Sequence, residues 1–339
     1  MTCANTQVFF FYINTIVMFN KNLLPDLDTY YRNKINIFNK NPRLDIHHLL
    51  FLSCAILTAA IAIYFVGFIF STAMPVFESQ GIINFLTGTE WNYGKNIYGI
   101  KVFIFGTMIM TFVTLILAVP ISLFTAIFLA EYAPSRVVYI IRPLIELLVG
   151  IPSVVYGIFG LFVLEDLFNI YVEPFLVSSL GFIPIFADNT PNSGQGLLLA
   201  SSILGVMILP TITALSEDAI RSVKHEYKEA SFALGATHWE TIRNVILPAA
   251  SGGIISSIVL GMMRAMGETM AIVMLLGNMK TIPSSFLSYG YAMTSKILND
   301  IGFYVNQAEP RSALFGIAAV LFLLEIIFVA LSRKIGGKA

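Results

Sequence analysis

The amino-acid sequence predicts an all-α membrane protein, a polytopic bundle of about six transmembrane helices. Three observations carry that expectation. Hydrophobic residues make up 57% of the 339 residues and charged residues only 12%, against roughly 25% charged in ordinary soluble domains. The apolar residues recur in long blocks along most of the chain, so a soluble fold would leave large sticky patches on its surface. The basic residues collect in alternate connections between those blocks, as they do in chains that weave through a bilayer.

Six segments are long enough, near 49–73, 103–130, 142–164, 196–216, 248–277 and 312–332, against the ~20 residues a span requires. Backbone polar groups in hydrocarbon need internal partners, so each segment is expected to be a helix. Pro120, Pro143, Pro152, Pro210, Gly157, Gly160, Gly252 and Gly261 lie within them. Such residues are tolerated where neighbouring helices cover the freed backbone, which points to a packed bundle. With the N-terminus placed in the cytoplasm, inside segments hold 14 Lys and Arg and outside segments 5, with Arg264 left in a span. Both termini are therefore expected inside.

The apolar stretch Val8–Phe19 is too short to cross and lacks a basic lead and a small-residue cleavage site. Residues 1–48 read as a cytoplasmic N-terminal extension, 49–101 as the first transmembrane helix with an external loop, 102–332 as the main transmembrane domain with a loop over 218–247, and 333–339 as a cytoplasmic tail. Formal net charge is zero, which argues against a nucleic-acid binder. Cys3 and Cys54 are the only cysteines, and His47, His48, His225 and His238 show no metal-ligand spacing, so neither a disulfide framework nor a protein-bound metal is expected.

The longest inside connection runs from Glu229 to Pro248 and reads as two short helices around Gly235, which permits a sharp turn. Ala230, Ala233 and Leu234 fall on one helical face, and Trp239, Ile242 and Val245 continue an apolar stripe. Pro248 suits the first turn of the next helix. A water-facing loop needs such a stripe only if it docks against something. Glu229, Ala230, Gly235, Leu247 and Pro248 match in register the EAA loop of ABC-type importer permeases, with Ser231 in place of the second Ala and Val245 in place of Ile. The loop resembles that family's coupling helix, which sits in a groove of an ATPase subunit. The resemblance implies a type I ABC importer permease fold. The chain has no G-x-x-x-x-G-K-[ST] phosphate cradle, so it is expected not to be an enzyme. No cofactor is expected in this chain, with ATP and Mg held by partner ATPases.

Arg264 and Glu268 are four apart in the fifth span and are expected on one helical face. Counted from Pro248 at 1.5 Å per residue, Arg264 falls about 24 Å into the membrane, beyond the midplane. Charges are expensive there and face a cavity or a partner. The two residues either neutralise each other or line a substrate path. An arginine fork suits an oxyanion. A neighbouring carboxylate accepts hydrogen bonds only, which favours phosphate, a proton carrier at neutral pH, over sulfate.

Arg264-Ala265-Met266-Gly267-Glu268-Thr269-Met270-Ala271 is similar to the R-A-x-G-E-T-x-A segment of phosphate-importer permeases. Ile151-Pro152-Ser153-Val154-Val155-Tyr156-Gly157 resembles their I-P-S-x-x-Y-G run, and Tyr98-Gly99-Ile100 through Gly106-Thr107 their Y-G-x…G-T segment. The loop Asp188–Gly196 with the following Leu197-Leu198-Leu199-Ala200-Ser201 resembles the PstC-type rather than the PstA-type subunit. The resemblance spans about residues 90–332. It implies an inner-membrane phosphate permease partnered by a homologous PstA-type permease, two ATPase subunits and an external phosphate-binding protein. Arg264 and Glu268 would line its substrate path. Ser153 and Tyr156 would either offer hydrogen bonds to that path or only knit helices together. Arg142 and Glu146 are expected to form a structural ion pair, and Glu325 stands in the last span without an evident partner in its own helix; it is expected either to pair across the bundle or to be protonated by burial, and not to be a substrate ligand.

Overall fold

The computed structural model of the protein describes residues 46–186 and 194–336. Residues 1–45 of the expected 1–48 extension and most of the Asp188–Gly196 loop lie outside the described residues, while 46–48 already belong to the first long helix. Among the described residues, six helical segments are long and apolar enough to cross a membrane: Leu49–Gln80, Lys101–Tyr132, Ser153–Leu180, Leu197–Arg221, His238–Gly267 and Ala308–Ser332. Packing divides the chain into two units, Met1–Val66 and Gly67–Ala339. The described part of the first unit belongs to helix α1 (Ile46–Gln80), and its apolar side chains, among them Phe51, Ile61 and Phe65, are exposed.

In the second unit α1 continues past Pro75, which removes a backbone donor from the helix. Ser312 covers the gap: its Oγ accepts from Val76 N–H at 2.9 Å and donates to the Ala73 carbonyl at 3.3 Å. A short helix α2 (Ile82–Thr87) and the hairpin β1 (Trp91–Asn92) and β2 (Ile97–Tyr98) follow, with Trp91 opposite Tyr98. Helix α3 (Lys101–Ile127) ends in a π turn over Phe128–Tyr132.

The third span departs from the expected 142–164. A separate helix, α4 (Ser135–Gly150), precedes it and stops at Ile151, which is extended before Pro152. Proline disfavours helical geometry in the residue before it, so the run breaks there. The span proper covers 153–180 as α5 (Ser153–Phe159), a π turn (Gly160–Leu164), α6 (Glu165–Leu167), a second π turn (Phe168–Val172) and α7 (Glu173–Leu180).

Helix α8 (Leu197–Arg221) is the most buried span. It packs against α3 and against α11 (Leu247–Gly267). Between them stand α9 (His225–Ala233), α10 (His238–Thr241) and a π turn over Ile242–Ile246. Pro248 falls in the first turn of α11, as expected. The approach of α11 to α8 depends on glycine: a Cβ on Gly253 would stand 2.5 Å from Ala219 Cβ, and one on Gly261 2.6 Å from Ile212 Cγ1. Hydroxyls add the polar ties usual between membrane helices. Ser216 and Ser257 meet at 2.7 Å across the α8–α11 contact, and Ser201 reaches the Met110 carbonyl of α3 at 3.2 Å.

Helix α11 stops at Gly267. A short helix α12 (Met270–Leu275), a non-helical stretch, α13 (Met293–Tyr304) and α14 (Ala308–Gly336) complete the chain. The hairpin and α13 enclose Lys296, which is 1% exposed. Its Nζ pairs with Asp300, which also accepts from the Tyr93 hydroxyl, and lies 4.8 Å from the Trp91 ring and 5.6 Å from that of Tyr291. Burial pushes the Lys296 ammonium below its ordinary range, against the pull of Asp300.

Candidate functional site: a broken span and an exposed helix pair

Two regions hold the residues singled out in the sequence. The first is the connection between the fourth and fifth spans. Helix α9 ends at Ala233, Gly235 takes φ +85° and turns the chain, and a residue with a Cβ would be strained there. Thr237 then caps α10. Its hydroxyl accepts from Glu240 N–H at 3.3 Å, while Glu240 Oε2 accepts from Thr237 N–H at 2.8 Å, a reciprocal capping box. The helix pair therefore holds its shape locally while presenting apolar side chains outward. Leu234 is 90% exposed, and Trp239, Phe232 and Tyr227 are each about half exposed. Glu229 and Ala230 are also on the surface, with Glu229 beside His225 at 3.0 Å.

The expected stripe through Trp239, Ile242 and Val245 is only partly outward. Ile242 is fully buried against Ala126, Ile220 and Ile246, because the π turn beginning at Ile242 changes which residues share a face. Ser231 is also buried, its hydroxyl 2.9 Å from that of Thr241. It fastens α9 to α10. Leu247 is half-buried and Pro248 exposed.

An ion pair joins this helix pair to the second span, and others tie the helices beside it. Lys228 Nζ lies 2.6 Å from Glu131, whose side chain is 6% exposed at the end of the second span. Arg221 binds the buried Glu217 at 2.7 Å and donates to the Leu129 carbonyl at 2.8 Å. Arg142 pairs with Glu146 at 3.3 Å, as expected, and also with Asp218 at 2.9 Å. Spacing within one helix revealed the first pair. The other crosses from α4 to α8, so no local pattern announced it. A cleft of about 490 Å³ opens between these elements, lined by Leu129, Tyr139, Arg142 and Arg221.

The second region is the end of α11. Arg264 and Glu268 do not share a helical face, contrary to the expectation. Glu268 has φ −67° and ψ 136°, so it is extended and the helix ends before it. No ion pair joins the two among the described residues. Arg264 Nη1 donates to Thr211 Oγ1 of α8 at 3.2 Å. Glu268 Oε1 accepts from Thr269 N–H at 3.1 Å, and its carbonyl accepts from Thr294 Oγ1 at 2.8 Å. The break is held by one side chain from α13, which is how membrane proteins satisfy a non-helical backbone at depth. Thr211 and Thr294 escaped the sequence reading, since a lone threonine in an apolar run carries no signal.

Tyr156 donates its hydroxyl to the Leu148 carbonyl at 2.9 Å, tying α5 to α4 across the Pro152 break. It is near enough to Arg264 for the two to interact electrostatically. Ser153 opens α5, half-buried. Gly157 brings α5 onto α12, where a Cβ would lie 3.2 Å from Ala271 Cα. Glu325 of α14 places Oε1 3.9 Å from where a Cβ on Gly267 would sit, beside the break.

The fifth span begins at His238 and ends at Gly267, so Pro248 does not mark its edge and a count from Pro248 does not set the depth of Arg264.

A polytopic bundle in which one span breaks beside charged side chains, while an exposed apolar helix pair joins two spans, defines the class of membrane permeases. Residues 118–336 match the family described as binding-protein-dependent transport system inner membrane component. The chain is 35% identical over 291 residues to a probable ABC transporter permease protein, YqgH, of Bacillus subtilis (strain 168), covering 84% of this chain and 88% of that one. It is 34% identical over 297 residues to the phosphate transport system permease protein PstC of Xylella fastidiosa (strain Temecula1 / ATCC 700964), covering 83% and 91%. A bacterial ABC transporter involved in import of the acidic polysaccharide alginate shares the fold, with TM-score 0.52 and 16% identity over 85% of this chain and 96% of that chain. The chain belongs to the binding-protein-dependent transport system inner membrane component family.

Proposed function

We propose that this chain is the membrane permease subunit of an ATP-driven importer for inorganic phosphate, of PstC type. The observation that carries the reading is the break at Glu268. It leaves Arg264 and a carboxylate where a spanning helix stops, and the same helix runs back to the exposed 229–248 connection. The phosphate permeases among its relatives support the choice of cargo.

In this reading two ATPase subunits hold the ATP and Mg, and a PstA-type permease supplies the other half of the path. An external binding protein delivers phosphate. Both termini and the 229–248 connection face the cytoplasm of a bacterial inner membrane. Closure of the ATPases moves Leu234 and Trp239. The Lys228–Glu131 pair carries that displacement to the second span, and the bond from Arg221 to the Leu129 carbonyl ties the second span to the fourth. Arg264 offers a transient positive site, and Glu268 excludes an oxyanion without a proton. Such binding has to stay weak enough to release.

The test is labelled phosphate and sulfate uptake in cells stripped of their own importers and supplied with the four components. Phosphate uptake that requires the ATPase is expected. Arg264→Gln should lower it at least about tenfold, the loss of roughly one charge-assisted contact. Sulfate uptake in its place would change the cargo. Full uptake in Arg264→Gln would remove Arg264 from the path. Uptake surviving deletion of the ATPase would make the protein a secondary transporter, and ATP hydrolysis without uptake would make it a sensing scaffold.

A further inference from the structure

Resting on the reading of Arg264 and Glu268 as path residues, we propose that Glu325 is a third charged residue of the cargo path. It accepts a hydrogen bond from an oxyanion that carries a proton and repels one that carries none. Three observations support it. Glu325 lies within a membrane span, and an ionisable side chain at that depth faces a cavity or a partner. It has no hydrogen-bond or ion-pair partner among the described residues. Its carboxyl meets α11 at Gly267, the last residue before the break, where no side chain intervenes.

Helical geometry connects it to the cargo residues. Gly267 and Arg264 are three apart on α11 and share a face, with a rise of only about 4.5 Å between them. The Glu325 carboxyl therefore approaches the face from which Arg264 extends. Glu268 follows directly as extended backbone. An anion held by Arg264 would meet Glu268 on the chain of the fifth span and Glu325 on the sixth. Ionised carboxylates only accept hydrogen bonds, so both demand a proton from the cargo. A second negative charge also raises the penalty on each further charge the cargo carries. Discontinuous helices that meet cargo near the middle of the bilayer are a recurrent transporter arrangement.

The other charges around α14 are engaged or distant. On α13, Lys296 and Asp300 pair with each other. On the part of α1 beyond Gly67, Glu78 lies at the far end, near the Val76–Ser312 bond. Glu309 and Arg311 open α14 itself, more than three turns from Glu325.

The experiment uses the assembled complex in vesicles, with phosphate saturating the binding protein. Phosphate loses protons as pH rises, so wild-type uptake should fall from slightly acid to slightly alkaline pH. In Glu325→Gln that fall should be shallower by about threefold, since one like charge is gone. Glu325→Asp should keep the wild-type profile. Glu325→Cys, made with Cys3 and Cys54 changed to Ser, should react with a water-soluble thiol reagent, and phosphate should slow the reaction. An unchanged profile in Glu325→Gln, or a thiol unreactive with and without ATP, overturns the proposal. If Glu325→Gln abolishes uptake, the labelling decides alone. Failure here with Arg264→Gln still inactive leaves the phosphate reading standing. Vesicles whose wild-type complex moves no phosphate refute that reading instead.

Discussion

At Arg264 the decisive feature is a hydrogen bond from Nη1 to Thr211 on a neighbouring helix, rather than an ion pair with Glu268. A guanidinium with one neutral partner keeps most of its donors for a ligand. Thr211→Val removes that partner and should lower the maximal uptake rate severalfold at unchanged protein level, since hydrogen bonds to charged groups contribute about 1.5–3 kcal/mol. Uptake kinetics beside immunodetection would check it, and an unchanged rate would mean that Arg264 is positioned by packing alone. Lys296 is the opposite case, a cation fully engaged by Asp300 within an aromatic enclosure. Removing one member of a buried pair costs about 3–5 kcal/mol because the other is left uncompensated. Lys296→Met should therefore lower the thermal inactivation temperature clearly, and adding Asp300→Leu should restore much of it. A double variant as weak as the single would argue that the pair itself stabilises the fold.

Among elements, the α8–α11 contact is set by absent side chains. Ala219 Cβ has no rotamer to retreat into, so Gly253→Val must push α11 away from α8. Overpacking of this kind costs about 1–3 kcal/mol. The expected outcome is earlier heat inactivation in detergent, with Gly252→Ala as the neutral control because nothing lies within 4 Å of a Cβ there. The fifth span shows the same dependence on context. Its sequence is apolar through 277, yet helix α11 ends at Gly267. Thr294 offers the Glu268 carbonyl an alternative donor, and the break becomes affordable within the bundle.

For the whole molecule, the Lys228–Glu131 pair links the exposed helix pair to the second span with both side chains largely buried. If it transmits movement, Lys228→Met and Glu131→Gln should each uncouple ATP hydrolysis from uptake. The exchanged pair, Glu131→Lys with Lys228→Glu, should recover part of the coupling. ATP consumed per phosphate moved is the measurement, and ratios unchanged in the single variants would make the pair a simple fastening. The exposed Leu234 and Trp239 belong to this scale too, because a docking face has meaning only with its partner. Leu234→Ser with Trp239→Ser should abolish co-purification of the ATPase while leaving the permease folded.

Much of the architecture was legible in the chain because the bilayer imposes a one-dimensional rule: a span must be apolar and about 20 residues long. Four spans fall near their expected places, the fifth is displaced to 238–267, and the helix–glycine–helix connection follows from Gly235. The third span was misplaced because hydropathy does not register the Ile151–Pro152 break. The charges of Arg264, Glu268 and Glu325 could be located in advance, since charges in apolar runs stand out. Their geometry could not. Whether Arg264 faces Glu268, Thr211 or a ligand depends on where α11 stops, and that depends on a donor from α13 more than twenty residues away. Local sequence thus determined which segments cross and which residues are charged within them. Tertiary packing decided which charges are paired, as with Lys296, and which are not, because only the assembled bundle supplies the partners.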